Sequence, residues 1–193
     1  SNSDVTFAVS FSETVEGLGG NDFSANTDAG VSASVSSINV PTSGDTTVTV
    51  GSISGSGTLG LDVADGDDSA TDPSGNVLDD ATEPSTDETY TIDQAAPTVT
   101  AIARLIPTSD STNDESVTFK VSFSEPVTNL GSDDFVRNTG AGVNAAIADV
   151  NAPTSGDTTV TVGSISGDGE LGIDVAAESA EDIAGNALES AGP

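Results

Sequence analysis

A short acidic motif with spacing suited to cation binding occurs twice in the chain. Asp-Ile-Ala-Gly-Asn occupies residues 182–186, and Asp-Pro-Ser-Gly-Asn occupies residues 72–76. Calcium takes six to eight oxygen ligands from carboxylates, amide carbonyls and backbone carbonyls, and a loop with glycine can turn its carbonyls inward. The same spacing fits a plain turn, because Asp and Asn cap turns and glycine supplies positive φ. The motif alone leaves both interpretations open.

Further carboxylates are expected near each motif. The order of predicted strands places Glu125 at the end of its domain that faces the preceding domain, together with loops 153–157 and 182–186 and the loop that contains Asp133 and Asp134. The candidate calcium ligands are Glu125, Asp182 and Asn186 in the second half of the chain and Glu13, Asp72 and Asn76 in the first. Asp93 precedes the linker and is a further candidate, shared across the junction.

The composition excludes several other kinds of chemistry. The chain has no His and no Cys, so it can build no Ser/His/Asp triad, no cysteine nucleophile and no ordinary zinc site. Its 32 acidic and 3 basic residues give a formal charge of −29, which repels nucleic acid and anionic membranes. Carboxylate pairs for glycoside hydrolysis stay open, but aromatic residues for sugar stacking are few. We expect no enzyme, no membrane insertion and a cationic partner, calcium first.

The chain is a tandem repeat. A fifteen-residue stretch at 41–55 recurs without change at 153–167, and the rest of the sequence aligns at an offset of 112. A period of about 110 residues is the size of a self-sufficient domain rather than of a solenoid unit. The repeat predicts two domains, residues 1–93 and 94–193.

Alternating apolar and polar residues predict an all-β chain. Val117, Phe119, Val121 and Phe123 alternate with small or polar residues and should face inward. Less regular alternation at 31–38 and 143–150 predicts β-bulges. Glycine-bearing turns at 55–57 and 167–169 predict hairpins between the flanking strands.

The strand patterns around the linker predict an uneven division of strands. Residues 89–93 are expected to close the first domain, and residues 97–105 to open the second. Nothing in the sequence before Ser1 matches 97–113, and nothing after Pro193 matches 89–93. We therefore expect the first domain to lack an opening strand and the second a closing strand. Tyr90, beside the linker, is expected to pack between the domains.

Several motifs together resemble a known family. Phe-Ser-Glu-Pro-Val at 123–127, Gly-Asp-Gly-Glu-Leu-Gly-Ile-Asp at 167–174 and Asp-Ile-Ala-Gly-Asn at 182–186 resemble the bacterial Ig-like tandem repeats of large secreted adhesins and cell-surface proteins. The resemblance implies two Greek-key β-sandwiches in an extended arrangement, exported to the bacterial cell surface. It also implies a stalk function, calcium at or near the linkers, and neighbouring repeats as partners.

Two departures from the family pattern concern the first domain. Thr14 stands where the pattern has Pro, and an insertion lies around residues 66–68, which makes its calcium site less secure. Two other functions remain open on the sequence. One is a module that binds an extracellular glycan or protein through calcium, and the other is an accessory domain of a secreted polysaccharide-active enzyme.

Overall fold

The chain divides into two compact units of β-structure. The computed structural model describes residues 4–39, 45–63, 70–79, 87–152, 157–176 and 180–189. The first unit is Ser1–Gln94 and the second is Ala95–Pro193. The described residues form strands and two short 3-10 turns, without an α-helix.

The described residues of the first unit form six strands in two antiparallel sheets. The strands are β1 (Val5–Val9), β2 (Phe23–Thr27), β3 (Val31–Asn39), β4 (Thr46–Gly55), β5 (Gly57–Val63) and β6 (Tyr90–Ile92). One sheet has the order β1-β4-β3 and the other the order β2-β5-β6. A 3-10 turn, Gly20–Asp22, leads into β2.

The second unit is also built from two antiparallel sheets, but the strands are divided between them differently. They are β7 (Val99–Ile106), β8 (Val117–Phe123), β9 (Phe135–Thr139), β10 (Asn144–Asn151), β11 (Thr158–Ser166) and β12 (Leu171–Val175). The four-stranded sheet has the order β10-β11-β8-β7, and β12 pairs with β9. A 3-10 turn, Ser132–Asp134, leads into β9.

The core of the second unit lies between its two sheets. Val121, Val160 and Val162 of the larger sheet are fully buried, and they pack in one cluster with Phe135 and Ile173 of the smaller sheet. The predicted inward face of β8 is confirmed, since all four of its alternating apolar residues belong to this cluster or pack against it. The sandwich-like burial of one face per sheet is what the period of two implies.

The predicted β-bulges are also present. The pairing of β3 with β4 shifts register between Ser32 and Ser34 and again between Val35 and Ser37. The pairing of β10 with β11 shifts twice in the same way. The irregular alternation in these two strands is therefore the sequence signature of the bulges.

The prediction of hairpins at the glycine turns is wrong. β4 and β5 belong to different sheets, and so do β11 and β12. Gly55 has φ +89°, and a Cβ atom there would lie 1.9 Å from the carbonyl oxygen of Gly30. Glycine is required at this position because the chain passes close to the backbone of Gly30 as it crosses from one sheet to the other. A crossing of this kind and a hairpin turn both favour glycine, so the sequence alone does not distinguish them.

The strands around the linker are confirmed. β6 falls within 89–93, and β7 covers most of 97–105. Among the described residues, β8 has β7 and β11 as neighbours whereas its counterpart β1 has only β4. Conversely, β5 has β2 and β6 whereas its counterpart β12 has only β9. Among the described strands, β7 of the second unit therefore has no counterpart in the first unit, and β6 of the first unit has none in the second.

Candidate metal centre

The Asp-x-x-Gly-Asn motif of the second unit is a tight turn organised by its first side chain. The Oδ1 atom of Asp182 accepts the backbone N–H groups of Ala184 and Asn186 at 2.7 and 2.9 Å. Its Oδ2 atom accepts the side-chain amide of Asn186 at 2.8 Å. Gly185 has φ +86°, which lets the chain reverse. The motif is thus a complete turn by itself, and a cation site would need oxygens from outside it.

Asp182 combines burial with negative charge. Its exposed fraction is 2%. Burial raises the pKa of its carboxyl group, but hydrogen bonds from the side chain and backbone of Asn186, and from the backbone of Ala184 and Gly185, outweigh burial and hold the pKa below its ordinary value. The carboxylate therefore stays ionised at neutral pH, which a metal ligand requires.

Glu125 lies at the end of the second unit where the chain enters it. The N–H of Ser124 donates to the carbonyl of Thr98 at 2.9 Å, and the N–H of Thr98 donates to Oγ of Ser124 at 3.0 Å. The neighbouring carbonyl of Pro97 accepts the N–H of Glu189 at 3.0 Å. These bonds fix the start of the unit beside the end of β8, so the half-buried side chain of Glu125 is held on a rigid element.

Glu125 and Asp182 place two carboxylates near each other. One oxygen of Glu125 lies within 4.8 Å of one oxygen of Asp182. Calcium–oxygen distances of 2.3–2.6 Å allow two ligands of one ion to lie at most about 5 Å apart. The pair therefore fits two ligands of a single calcium ion. Because two oxygens are far fewer than calcium needs, backbone carbonyls, water or further side chains would have to complete the shell.

The side chain of Asn186 takes part in the turn through its nitrogen, and its role as a calcium ligand stays a prediction. Its amide nitrogen donates to Asp182, so this half of the side chain is part of the turn. The Oδ1 atom is the remaining side-chain group that could bind a cation. The residue therefore supports Asp182 directly and could ligate through a single oxygen.

Asp93 belongs to the first unit and directly follows β6. Its Oδ1 atom accepts a hydrogen bond from the hydroxyl of Ser56 at 3.2 Å. The same hydroxyl oxygen accepts the N–H of Gln94 at 3.0 Å. The half-buried Asp93 is thereby tied to the connection between β4 and β5. Its service as a calcium ligand stays a prediction.

The motif of the first unit forms the same turn in a more exposed setting. Oδ1 of Asp72 accepts the N–H groups of Ser74 and Asn76, both at 2.8 Å, and Oδ2 accepts the side-chain amide of Asn76 at 2.7 Å. The side-chain hydrogen bond from Asn76 is the main cause that lowers the pKa of Asp72. Glu13 is exposed. Within the described part of this unit, no three acidic side chains bring oxygens within reach of one ion.

Two buried aspartates are absent from the predicted ligand set. Asp22 and Asp134 are 0% and 1% exposed. Each accepts the N–H of a glycine three residues earlier, Gly19 at 2.6 Å and Gly131 at 2.8 Å, and so closes the 3-10 turn before β2 or β9. The sequence signal is the pattern Gly-x-x-Asp-Phe, which recurs at the repeat offset. Their position indicates a structural role in the turn.

The loop 153–157, also expected at the end that carries Glu125, is described only at its last residue. Asp157 forms an ion pair with Lys120 at 2.5 Å and accepts the hydroxyl of Ser122 at 2.5 Å. The bond from Lys120 is the main cause that lowers the pKa of Asp157. The first unit has Ala8 in place of the lysine, so this pair is particular to the second unit.

Comparison of the chain with known protein families, curated proteins and solved structures finds no match. In the described ranges, no helix is long and apolar enough to cross a lipid bilayer.

Proposed function

We propose that the chain is a non-enzymatic structural module of a secreted bacterial surface protein, built from two Ig-like Greek-key β-sandwiches and stabilised by calcium. The module would form part of an extended adhesive stalk. The observation that carries the proposal is the carboxylate pair of Glu125 and Asp182 at the end of the second unit where the chain enters. A cation bound there would fasten the turn to the strand next to the linker.

The arrangement of strands supports the Ig-like assignment. Each unit has two antiparallel sheets, and the chain crosses from one sheet to the other between β4 and β5 and between β11 and β12. Crossings of this kind separate a Greek-key sandwich from a meander of hairpins. The tandem repetition of such a unit suits a spacer, because its length grows with the number of copies.

The donor chemistry of the site supports calcium over other metals. With neither His nor Cys in the chain, the ligands are oxygens, which hard cations prefer. Asp182 is ionised and nearly inaccessible. The groups that donate to it are backbone N–H groups and an amide without positive charge, whereas buried charges are usually paired or bound to a metal. A bound Ca²⁺ would neutralise Asp182 and Glu125 together.

Calcium titration tests the proposal. We expect isothermal titration of chelator-treated protein to show a dissociation constant of roughly 10⁻⁴ to 10⁻³ M, the range of extracellular modules. At about 100 times that constant, binding adds about 2.7 kcal/mol to the stability of the second unit, which corresponds to several degrees in melting temperature. Magnesium should give a smaller shift, because it requires smaller and more regular coordination.

Two variants make the test specific to the carboxylate pair. Glu125→Gln should weaken calcium binding at least tenfold. Glu115→Gln removes the same charge from an exposed residue just before β8, outside the pair, and should bind as the wild type does. Superimposable melts in calcium and in excess chelator, for the wild-type protein, would contradict the proposal.

A further inference from the structure

The chain leaves the first unit through β6, which is held in its sheet by main chain and side chain together. β6 pairs antiparallel with β5, from Tyr90 opposite Leu59 to Ile92 opposite Gly57. The side chain of Ile92 packs against the buried cluster that contains Ile53 and Leu59. The strand before the linker is therefore a firm part of the unit.

The side chain of Tyr90 ties β6 to the other sheet. Its ring meets that of Phe7 edge to face, with centroids 5.2 Å apart and an interplanar angle of 79°. Its hydroxyl donates to the carbonyl of Thr6 at 3.2 Å. Tyr90, expected from the sequence to pack between the domains, therefore contacts β1 of its own unit.

Ser56 binds both residues that follow β6. Its Oγ atom donates to Oδ1 of Asp93 at 3.2 Å and accepts the N–H of Gln94 at 3.0 Å. The side-chain amide of Gln94 donates in turn to the carbonyl of Ile53 at 3.3 Å. These three hydrogen bonds join residues 93–94 to the connection between β4 and β5, and we call them the exit clamp.

The connection that carries Ser56 is closely packed against the start of β3. A Cβ atom on Gly55 would lie 1.9 Å from the carbonyl oxygen of Gly30, and one on Gly57 would lie 3.0 Å from a methyl group of Val31. Both glycines therefore have little space in which to shift. The hydroxyl of Ser56 is thus presented from a fixed part of the backbone.

The chain is anchored again where it enters the second unit. Pro97 is fully buried, and its carbonyl accepts the N–H of Glu189 at 3.0 Å. Thr98 and Ser124 exchange two hydrogen bonds, at 2.9 and 3.0 Å. Two alanines, residues 95–96, lie between this entry and the exit clamp. Release of residues 93–94 would therefore lengthen the linker from two residues to four.

We propose that Ser56 sets the flexibility of the linker by holding residues 93–94 on the first unit. The clamp acts without calcium, because all of its donors and acceptors belong to the first unit. The second unit has Asp168 at the equivalent position, and an ionised carboxylate cannot donate the bond that Ser56 gives to Asp93. The donor of the clamp is therefore particular to the sequence of the first unit.

The direct test is ¹⁵N NMR of the whole chain in excess chelator, where calcium contributes nothing. In the wild-type protein, the heteronuclear NOE of residues 93–94 should be as high as that of β5. Ser56→Ala should lower this NOE and should speed solvent exchange of the Gln94 amide by about two- to tenfold, the factor that corresponds to one net hydrogen bond. Unchanged amide shifts in β1 and β2 would show that the variant stays folded.

Two further variants make the test specific to the hydroxyl group. Ser56→Thr keeps the hydroxyl at an exposed position and should restore both the NOE and the exchange rate. Ser54→Ala removes a hydroxyl from an exposed residue of β4 that lies outside the clamp, and it should behave as the wild type does.

Three results would overturn the proposal. A low NOE at residues 93–94 of the wild-type protein would show that the clamp is open in solution. Equal NOE and exchange in wild type and Ser56→Ala would show that β6 alone holds the exit segment. Failure of Ser56→Thr to restore the wild-type values would show that the hydroxyl is not the cause. Because every sample contains chelator, these results are independent of whether the second unit binds calcium.

Discussion

At the scale of single residues, the two Asp-x-x-Gly-Asn turns share one hydrogen-bonded structure, but only the second is a candidate metal site. Asp72 and Asp182 accept the same set of hydrogen bonds from their own turns. They differ in burial, because Asp182 is almost inaccessible and Asp72 is partly exposed. The shared hydrogen bonds account for the common turn, and the burial of Asp182 and the nearby Glu125 are what distinguish the second turn as the proposed metal site.

Replacing Asp182 by Asn should destabilise the second unit even without calcium. The neutral amide would face the amide of Asn186 with a donor instead of an acceptor, and it would lose the charge that strengthens two backbone hydrogen bonds. We expect a loss of about 1.5–3 kcal/mol, the usual range for hydrogen bonds to a charged group. A urea titration in chelator, read by NMR signals of β11 and β12, measures it.

Asp72→Asn serves as the matched control, since it makes the same change in a more exposed turn and should cost less.

The stability of the second unit should also depend on pH through Asp182. Because the pKa of Asp182 is lower in the folded protein than its ordinary value of 3.8, the unfolded chain binds the proton more tightly in acid. The stability from this group is therefore complete above that value and is lost as the pH falls below it. The Asp182→Asn variant should show a shallower loss in acid, and an unchanged slope would contradict this account.

At the scale of elements, local patterns predict the strands but not their partners. The alternation at Val117, Phe119 and Val121 identifies an inward face because burial of one face is a property of a single strand. Pairing depends on contacts between distant segments. The sequence of the turn at 55–57 therefore predicts a hairpin, although β4 and β5 lie in different sheets. Similarly, the sequence locates the Asp182 turn and Glu125, but it contains no signal for the burial that distinguishes Asp182 from Asp72.

The crossing between sheets makes a sharp prediction for two glycines of the first unit. Gly55 and Gly75 have φ +89° and +87°, but a Cβ on Gly55 would lie 1.9 Å from the carbonyl of Gly30, whereas a Cβ on Gly75 has no neighbour within 4 Å. Gly75→Ala should therefore cost only the strain of a left-handed residue, about 1–2 kcal/mol. Gly55→Ala adds a backbone clash and should cost distinctly more. Denaturant midpoints of the two variants give the comparison, and equal midpoints would show that the crossing tolerates a side chain.

At the scale of the whole molecule, charge is the dominant feature. A chain with formal charge −29 is destabilised in compact states by repulsion among its own carboxylates. Monovalent salt screens this repulsion everywhere, whereas a bound calcium ion acts at one place. The two effects must be separated before calcium is assigned a structural role, and comparison at constant ionic strength separates them.

A calcium-stiffened stalk predicts a calcium-specific change in small-angle scattering from the whole chain. The sequence predicts Asp93, four residues before Pro97, as a further calcium ligand, and proline restricts the linker by fixing φ. At 0.15 M ionic strength, with sodium chloride replaced in part by calcium chloride, the scattering should indicate lower flexibility than in chelator. Asp93→Asn should abolish this difference while keeping the melting shift of the second unit, which depends on Glu125 and Asp182. If the scattering of wild-type protein is the same in both conditions while the melting shift persists, calcium acts within the second unit alone, and stiffness of the stalk has to come from packing.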